Sequence, residues 1–207
     1  MKNKFYSQYN QDEIILKILN FKRNGVFVDI GANDGINLSN TYYMEKKLGW
    51  NGLCIESDSR AAEELKKNRN CSLELSPVSP KSGMITKVYE HNDSLLSAVT
   101  FEGNGIIKED GTTVSEEELK NATGISINDA LEKHNIPKNI DYISMDIEGW
   151  EPGILETFDF NKYNVNCWSI EWSNGSTNYN AKYYIAHILF QNDYAVKQHH
   201  SDFIAWR

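Results

Sequence analysis

Within ten residues the chain passes from the run Val26-Phe-Val-Asp-Ile30 into the glycine-bounded segment Gly31-Ala-Asn-Asp-Gly35, and this junction constrains the fold more than any other feature. A short, almost unbroken apolar run suits a strand buried on both faces, which is the situation of strands in parallel sheets. Residues 40–48 then have helical spacing, and Gly49 is placed to stop the helix. The unit is therefore a strand, a tight turn and a helix.

The same alternation runs through the chain. Residues 8–20 put Ile14, Ile15, Ile18 and Leu19 on one face of a helix with Ser7 as its N-cap, ahead of the strand at 26–30. A strand at 52–56, a helix at 59–69 capped by Ser59, and a strand at 72–75 follow. Two crossovers in so short a stretch imply a doubly wound parallel sheet. Residues 77–124 are the least patterned, with one strand at 84–89 and an acidic, glycine-rich stretch at 102–118, and such an insertion is expected to carry function or mobility.

Regular structure resumes with a helix at 126–134, a strand at 141–147, a helix opened by Glu151 and Pro152, a strand at 167–172 and a helix at 181–192. Residues 194–198 and 203–206 read as a closing antiparallel hairpin around 199–202. The expected organisation is one α/β domain over 1–207, with a helical cover at 1–24 and an insertion around 77–124.

Composition narrows the class. At 40% apolar, 24% charged and 12% aromatic residues, the chain can build a packed core, which excludes disordered and collagen-like types. The net charge of −8, with no basic cluster, argues against duplex nucleic acid and anionic membranes as partners. No apolar run reaches about 18 residues and the first ten residues lack a signal-peptide core, so a soluble cytoplasmic protein without membrane insertion is expected. Cys54, Cys71 and Cys167 are odd in number and widely spaced, which favours buried reduced thiols.

Three constellations carry chemistry. In the turn after the first strand, Gly31 and Gly35 admit a ligand close to the main chain, while Asp29 and Asp34 repel a pyrophosphate and attract an ammonium or sulfonium group. Glu56 ends the next strand, 21 residues beyond Gly35, near the spacing at which nucleotide-binding folds place a ribose-binding carboxylate. The dinucleotide fingerprint G-x-G-x-x-G is absent, because Ala32 and Asn33 follow Gly31. The third is Asp141-Tyr-Ile-Ser-Met-Asp-Ile-Glu-Gly-Trp-Glu151, where Asp146 and Glu148 lie two apart and so share a face. Paired acids there could orient an ammonium, act as a general base or hold Mg²⁺; the alternative is that they favour the helix start near Pro152.

With Tyr6-Ser-Gln-Tyr-Asn-Gln-Asp12, Val28-Asp-Ile-Gly-Ala-Asn-Asp-Gly35, Ser39-Asn-Thr41, Gly49-Trp-Asn-Gly-Leu-Cys-Ile-Glu56 and Asp141 to Glu151 in this order, the chain resembles the FkbM family of S-adenosylmethionine-dependent methyltransferases. The resemblance implies a Rossmann-like doubly wound seven-stranded sheet, mostly parallel with an antiparallel C-terminal strand. It also implies S-adenosyl-L-methionine as cofactor and O-methylation of a sugar, glycan or other small hydroxylated acceptor. Alternatives are a methyltransferase-fold binding module without turnover, or N-methylation of an amine or peptide.

Carried onto matching positions, the resemblance puts the methionine part of the cofactor against Asp29, Gly31, Asn33, Asp34 and Gly35, with Asn40 and Thr41 at the following helix, Glu56 on the ribose and Leu75 and Ser76 beside the adenine. Asp146 serves cofactor and chemistry, and Asp146, Glu148 and Glu171 are the expected catalytic acids, with His91 a further candidate base. His199 and His200 are expected to face solvent, and His134 to be a favourable charge at a helix end. Gln8 and Gln11 are candidates for a cover. Trp150 and Trp172 could stack on an acceptor or simply pack in the core. Mg²⁺ on Asp146, Glu148 and Glu171 is an alternative use of these acids, but acid clusters without metal are common in this fold and no metal site is assigned. The expected partner is a small-molecule or glycan acceptor, and a homodimer is compatible with the sequence.

Overall fold

The computed structural model describes residues 4–92, 94, 97–101, 106, 112–147, 149–172 and 179–207. In chain order the elements are α1 (Gln11–Ile18), β1 (Val26–Ile30), α2 (Tyr42–Leu48), β2 (Asn51–Ile55), α3 (Ser59–Asn68), β3 (Ser72–Glu74), β4 (Ile85–Tyr89), β5 (Ala98–Phe101), β6 (Leu119–Thr123), α4 (Ile127–Lys133), β7 (Asn139–Met145), α5 (Glu151–Thr157), β8 (Asn164–Glu171), α6 (Tyr179–Gln191), β9 (Ala195–His199) and β10 (Asp202–Trp206).

Seven strands form one sheet in the order β3-β2-β1-β7-β8-β10-β9, and β4, β5 and β6 form a separate antiparallel sheet with β4 in the middle. Strands β1, β2, β3, β7 and β8 are mutually parallel, and β10 runs antiparallel to β8 and β9. The chain leaves β1 toward β2 and β3 and returns on its other side with β7. Crossovers therefore diverge between β1 and β7, which opens a crevice at the carboxyl ends of these strands.

Strand periodicity assigns the core to two faces. Phe27, Cys54, Tyr142, Cys167 and Ile204 pack with Ile15 and Leu16 of α1, Met44 and Leu48 of α2 and Leu65 of α3. Their neighbours Val28, Leu53, Ile143 and Trp168 point the other way, onto Ile127 and Leu131 of α4, Leu155 of α5 and Leu189 of α6. Both faces are dry, which explains why β1 reads as an almost unbroken apolar run.

The structure corrects several expectations. Ser7 is not the N-cap residue of α1, which begins at Gln11 after Asn10; from outside the helix its hydroxyl donates to the buried Asp12 carboxylate at 2.6 Å and accepts the first-turn N–H of Asp12 at 3.3 Å. Asp58, not Ser59, caps α3, accepting the N–H groups of Arg60 and Ala61. An ionised carboxylate facing the positive end of the helix is the stronger acceptor. Strand β7 spans 139–145 rather than 141–147, because Glu151 accepts the N–H of Ile147 and turns the chain away from the sheet. The insertion holds three strands where one was expected. Strand β6, Leu-Lys-Asn-Ala-Thr, is too polar to register as a strand and forms by pairing with β4. Of the expected stretch 102–118, residues 102–105 and 107–111 lie outside the described residues, and Glu116–Glu118 form a short 3-10 turn.

Candidate active site

The turn after β1 is built around Gly31. With φ of +82° and a Cβ position that would fall 1.9 Å from the Asp146 carbonyl oxygen, Gly31 lets β1 and β7 end in contact. Its N–H and that of Ala32 donate to the Ile55 carbonyl at 3.0 and 3.1 Å, tying the turn to β2 as well. Gly35, at φ of +79°, closes the turn against the side chains of Leu65 and Arg69.

Below the turn, Asp29 is buried, accepts the Thr41 hydroxyl at 2.6 Å and lies 3.8 Å from Arg69. Burial raises its carboxyl pKa above the usual range, opposed by the Arg69 charge and the Thr41 hydrogen bond. Arg69 is the hub: its guanidinium donates to Glu45 at 2.6 Å, to Thr41 at 2.8 Å and to the Gly35 carbonyl at 3.3 Å. Asp34 is used locally, accepting the N–H groups of Ile36 and Asn37, both at 2.8 Å. Glu56 accepts three backbone N–H groups, of Asn33, Ser57 and Asp58, each at 2.7 Å. Burial nevertheless raises its carboxyl, and the three hydrogen bonds counter that.

Three connected chambers lie at this edge. A polar cleft brings together the expected residues Asp29, Gly31, Asn33, Asn40, Asp146 and Glu171, with Gln8, Gln11 and Asp202. An apolar pocket is walled by Ile30, Ile55, Val78, Val99, Ile147 and Trp150, with Glu56, Ser76 and Pro77 at its side. The third chamber shares Gly31, Asn33 and Asp146 with the cleft, and Glu56, Val99 and Ile147 with the pocket. Trp150 donates its indole N–H to the Val99 carbonyl at 3.0 Å, so the small sheet roofs the apolar pocket. Asp34, Gly35 and Thr41 support the turn from behind the chambers, and Leu75 is 43% exposed outside them.

The cleft concentrates acids. Asp146 is raised by desolvation; a hydrogen bond with Glu171 opposes this, while Asp202 and Asp29 push it further up. Asp202, buried opposite Glu171 in the β8–β10 register, accepts the Gln11 amide at 2.5 Å. Desolvation raises it too, against that hydrogen bond and the nearby His199 and His200. Glu151 is buried and accepts the N–H groups of Ile147 at 2.9 Å and Gly149 at 3.3 Å, and burial pushes its carboxyl up to about 8, with Asp146 adding to the shift. Glu148 lies outside the described residues.

Asp146, Glu151 and Glu171 each offer a carboxylate oxygen within 4.8 Å of the others. They are the described residues that could close on a cation. One oxygen of Glu151 is, however, committed to two backbone amides and Asp146 is hydrogen-bonded to Glu171, an arrangement suited to sharing protons, and the Mg²⁺ alternative gains no support from it.

Glu151, Asp202 and Arg69 were not foreseen as site residues. Glu151 stood in the Asp141 to Glu151 string, whereas Asp202 reaches the cleft only through strand register. His91 does not line the chambers; its ring packs 5.9 Å from Tyr89. His200 is exposed, as expected, while stacking on the Tyr9 ring at 4.3 Å; His199 is half-buried and contacts the Tyr9 carbonyl at 2.7 Å. His134 is 3.0 Å from Glu74. Trp172 carries Lys182 over its ring at 4.2 Å.

The sheet order, with an antiparallel β10 between β8 and β9, and the crevice at the β1–β7 switch point define a Rossmann-like class I methyltransferase fold. Two solved structures share it. A putative O-methyltransferase from Klebsiella pneumoniae aligns with a TM-score of 0.56 at 10% identity over 99% of this chain and 82% of the other. Precorrin-6y C5,15-methyltransferase from Geobacter metallireducens GS-15 aligns with a TM-score of 0.51 at 12% identity over 95% and 87%. No curated protein matches the sequence. Residues 29–196 match the methyltransferase FkbM domain, and the chain belongs to the FkbM methyltransferase family.

Proposed function

We propose that this protein is an S-adenosylmethionine-dependent methyltransferase that methylates a hydroxyl group of a sugar, glycan or other small polar acceptor. The observation that carries this reading is the meeting, at Gly31, of an apolar pocket and an acid-lined cleft at the switch point of the sheet, bridged by a third chamber that Asp146 and Ile147 also line. A ligand with a flat heteroaromatic end and a cationic end matches that pair of chambers. The buried Oδ1 of Asn40, which has no protein partner, suits the ammonium of such a ligand.

When bound, the cofactor supplies an electrophilic methyl group on a sulfonium. Ile147, Val99 and Trp150 would enclose its base, Glu56 would accept its ribose hydroxyls, and Asn33, Asn40 and Asp29 would border its amino-acid end. Asp146 and Glu171, which line the cleft, would orient the acceptor hydroxyl and take its proton. Desolvation raises the Asp146 carboxyl above its ordinary value, the direction that favours taking up a proton. Among the described residues, no Lys, Arg or His lines the polar cleft, so a neutral or cationic acceptor fits it better than a phosphorylated one.

Calorimetric titration with S-adenosylhomocysteine, using NAD as control, tests the cofactor half without the acceptor. Binding of the first ligand alone supports the reading and justifies an acceptor screen over sugars and amines. Failure of both ligands would reduce the chain to a methyltransferase-fold binding module. Transfer to amines alone would replace O- by N-methylation.

A further inference from the structure

Cys54 and Cys71, seventeen residues apart, are brought together by the β2–β3 pairing: the Cys71 thiol donates to the Cys54 sulfur at 3.4 Å. Cys54 is buried near the carboxyl end of β2, directly across from Asp29 of β1. Cys71 is half-buried and occupies a bend just ahead of β3, the edge strand of the sheet. Two residues before it stands Arg69, which holds the Gly35 carbonyl, Thr41 and Glu45 behind the cleft. Cys167 is buried on β8, away from both.

We propose that Cys54 and Cys71 are a redox-active dithiol that closes to a disulfide on exposure to a peroxide and thereby loosens the Arg69-held turn. Cys71, the more accessible thiol, attacks one peroxide oxygen as thiolate. The O–O bond breaks, the departing hydroxide leaves as water, and Cys71 becomes a sulfenic acid. The Cys54 sulfur then attacks the Cys71 sulfur, the S–O bond breaks, and hydroxide departs as a second water with the Cys54 proton. Two thiols are oxidised and one peroxide is reduced to two waters.

A disulfide needs sulfurs about 2.05 Å apart, so closure must draw the pair inward by more than an ångström. Cys54 is fixed between β1 and β3, paired on both sides, and the edge segment carrying Cys71 is the part able to move. That movement pulls on Arg69 two residues away. The consequence for cofactor affinity rests on the function proposed above; the disulfide itself does not.

The test treats the reduced full-length chain with hydrogen peroxide, then counts thiols after denaturation and maps peptides without reduction. The expected count falls from three to one, with a Cys54–Cys71 linked peptide and an intact mass lower by two hydrogens. Cys71→Ser should retain both remaining thiols, whereas Cys167→Ser should still form the link. An unchanged count, a Cys167 linkage or only inter-chain linkage would overturn the proposal. In parallel, S-adenosylhomocysteine should bind the oxidised chain about three- to tenfold more weakly, reversibly with dithiothreitol, and Cys71→Ser should be insensitive to peroxide. Equal affinity of the oxidised and reduced chains removes the regulatory half. If the reduced chain binds no S-adenosylhomocysteine, the cofactor reading fails while the peptide map still decides the disulfide.

Discussion

A single added methyl group decides the turn at Gly31, where a Cβ would fall 1.9 Å from the Asp146 carbonyl and φ is +82°. Gly31→Ala should therefore cost at least about 2 kcal/mol in urea unfolding and abolish S-adenosylhomocysteine binding; a folded variant with unchanged affinity would show the turn is not the cofactor's seat. Glu56 combines scaffold and ligand roles, since three backbone N–H groups already converge on it. Glu56→Ala should weaken S-adenosylhomocysteine by more than about tenfold in calorimetry, and Asp146→Asn should abolish turnover while melting close to wild type. Glu151 makes a pH prediction. Its carboxyl is pushed from 4.5 in the unfolded chain up to about 8 when folded, so between these values the native state holds a proton that the unfolded chain has released. Stability from this group therefore falls as pH rises from 4.5 to 8, and Glu151→Gln should flatten that part of the denaturation profile.

Individual elements depend on caps and pairings that local sequence reveals unevenly. The α3 helix was legible from its spacing, yet its cap was not, because Asp58 and Ser59 are both good caps and only the backbone path chooses between them. Asp58→Ala should lower stability by about 1 to 2 kcal/mol, with Ser59→Ala nearly silent at the helix end; chemical denaturation of the two variants separates them. Strands β1, β2, β7 and β8 were found from sequence because burial on both faces writes an apolar run. Strand β6 was not, since its side chains alternate around polar positions and its stability comes from β4.

Across the whole molecule, the N-terminal segment is fastened to the closing hairpin. Tyr9 stacks on His200 and accepts from His199, Gln11 reaches Asp202, and Gln8 borders the polar cleft. Tyr9→Ala should raise the KM for the acceptor while leaving S-adenosylhomocysteine affinity near wild type in calorimetry. A matched loss of both would place the segment over the cofactor instead.

The sequence by itself determined the fold class and the turn at 31–35, because these rest on local physics: periodicity of burial, glycine backbone freedom and an acid at a strand end; the family came from the resemblance of its ordered motifs. Asp146 and Glu171 were legible as cleft acids because strand ends in a parallel sheet gather at one edge. Tertiary structure alone decided that Asp202 faces Glu171, that Glu151 turns inward to fold the loop after β7, that Arg69 braces the turn from behind, and that Cys54 meets Cys71. The Asp202, Arg69 and cysteine contacts depend on register or join residues far apart in sequence, whereas Glu151 bonds only to Ile147 and Gly149 and its inward turn is set by the backbone path after β7. Such contacts form only once the chain has closed, and they leave no period in the sequence to read.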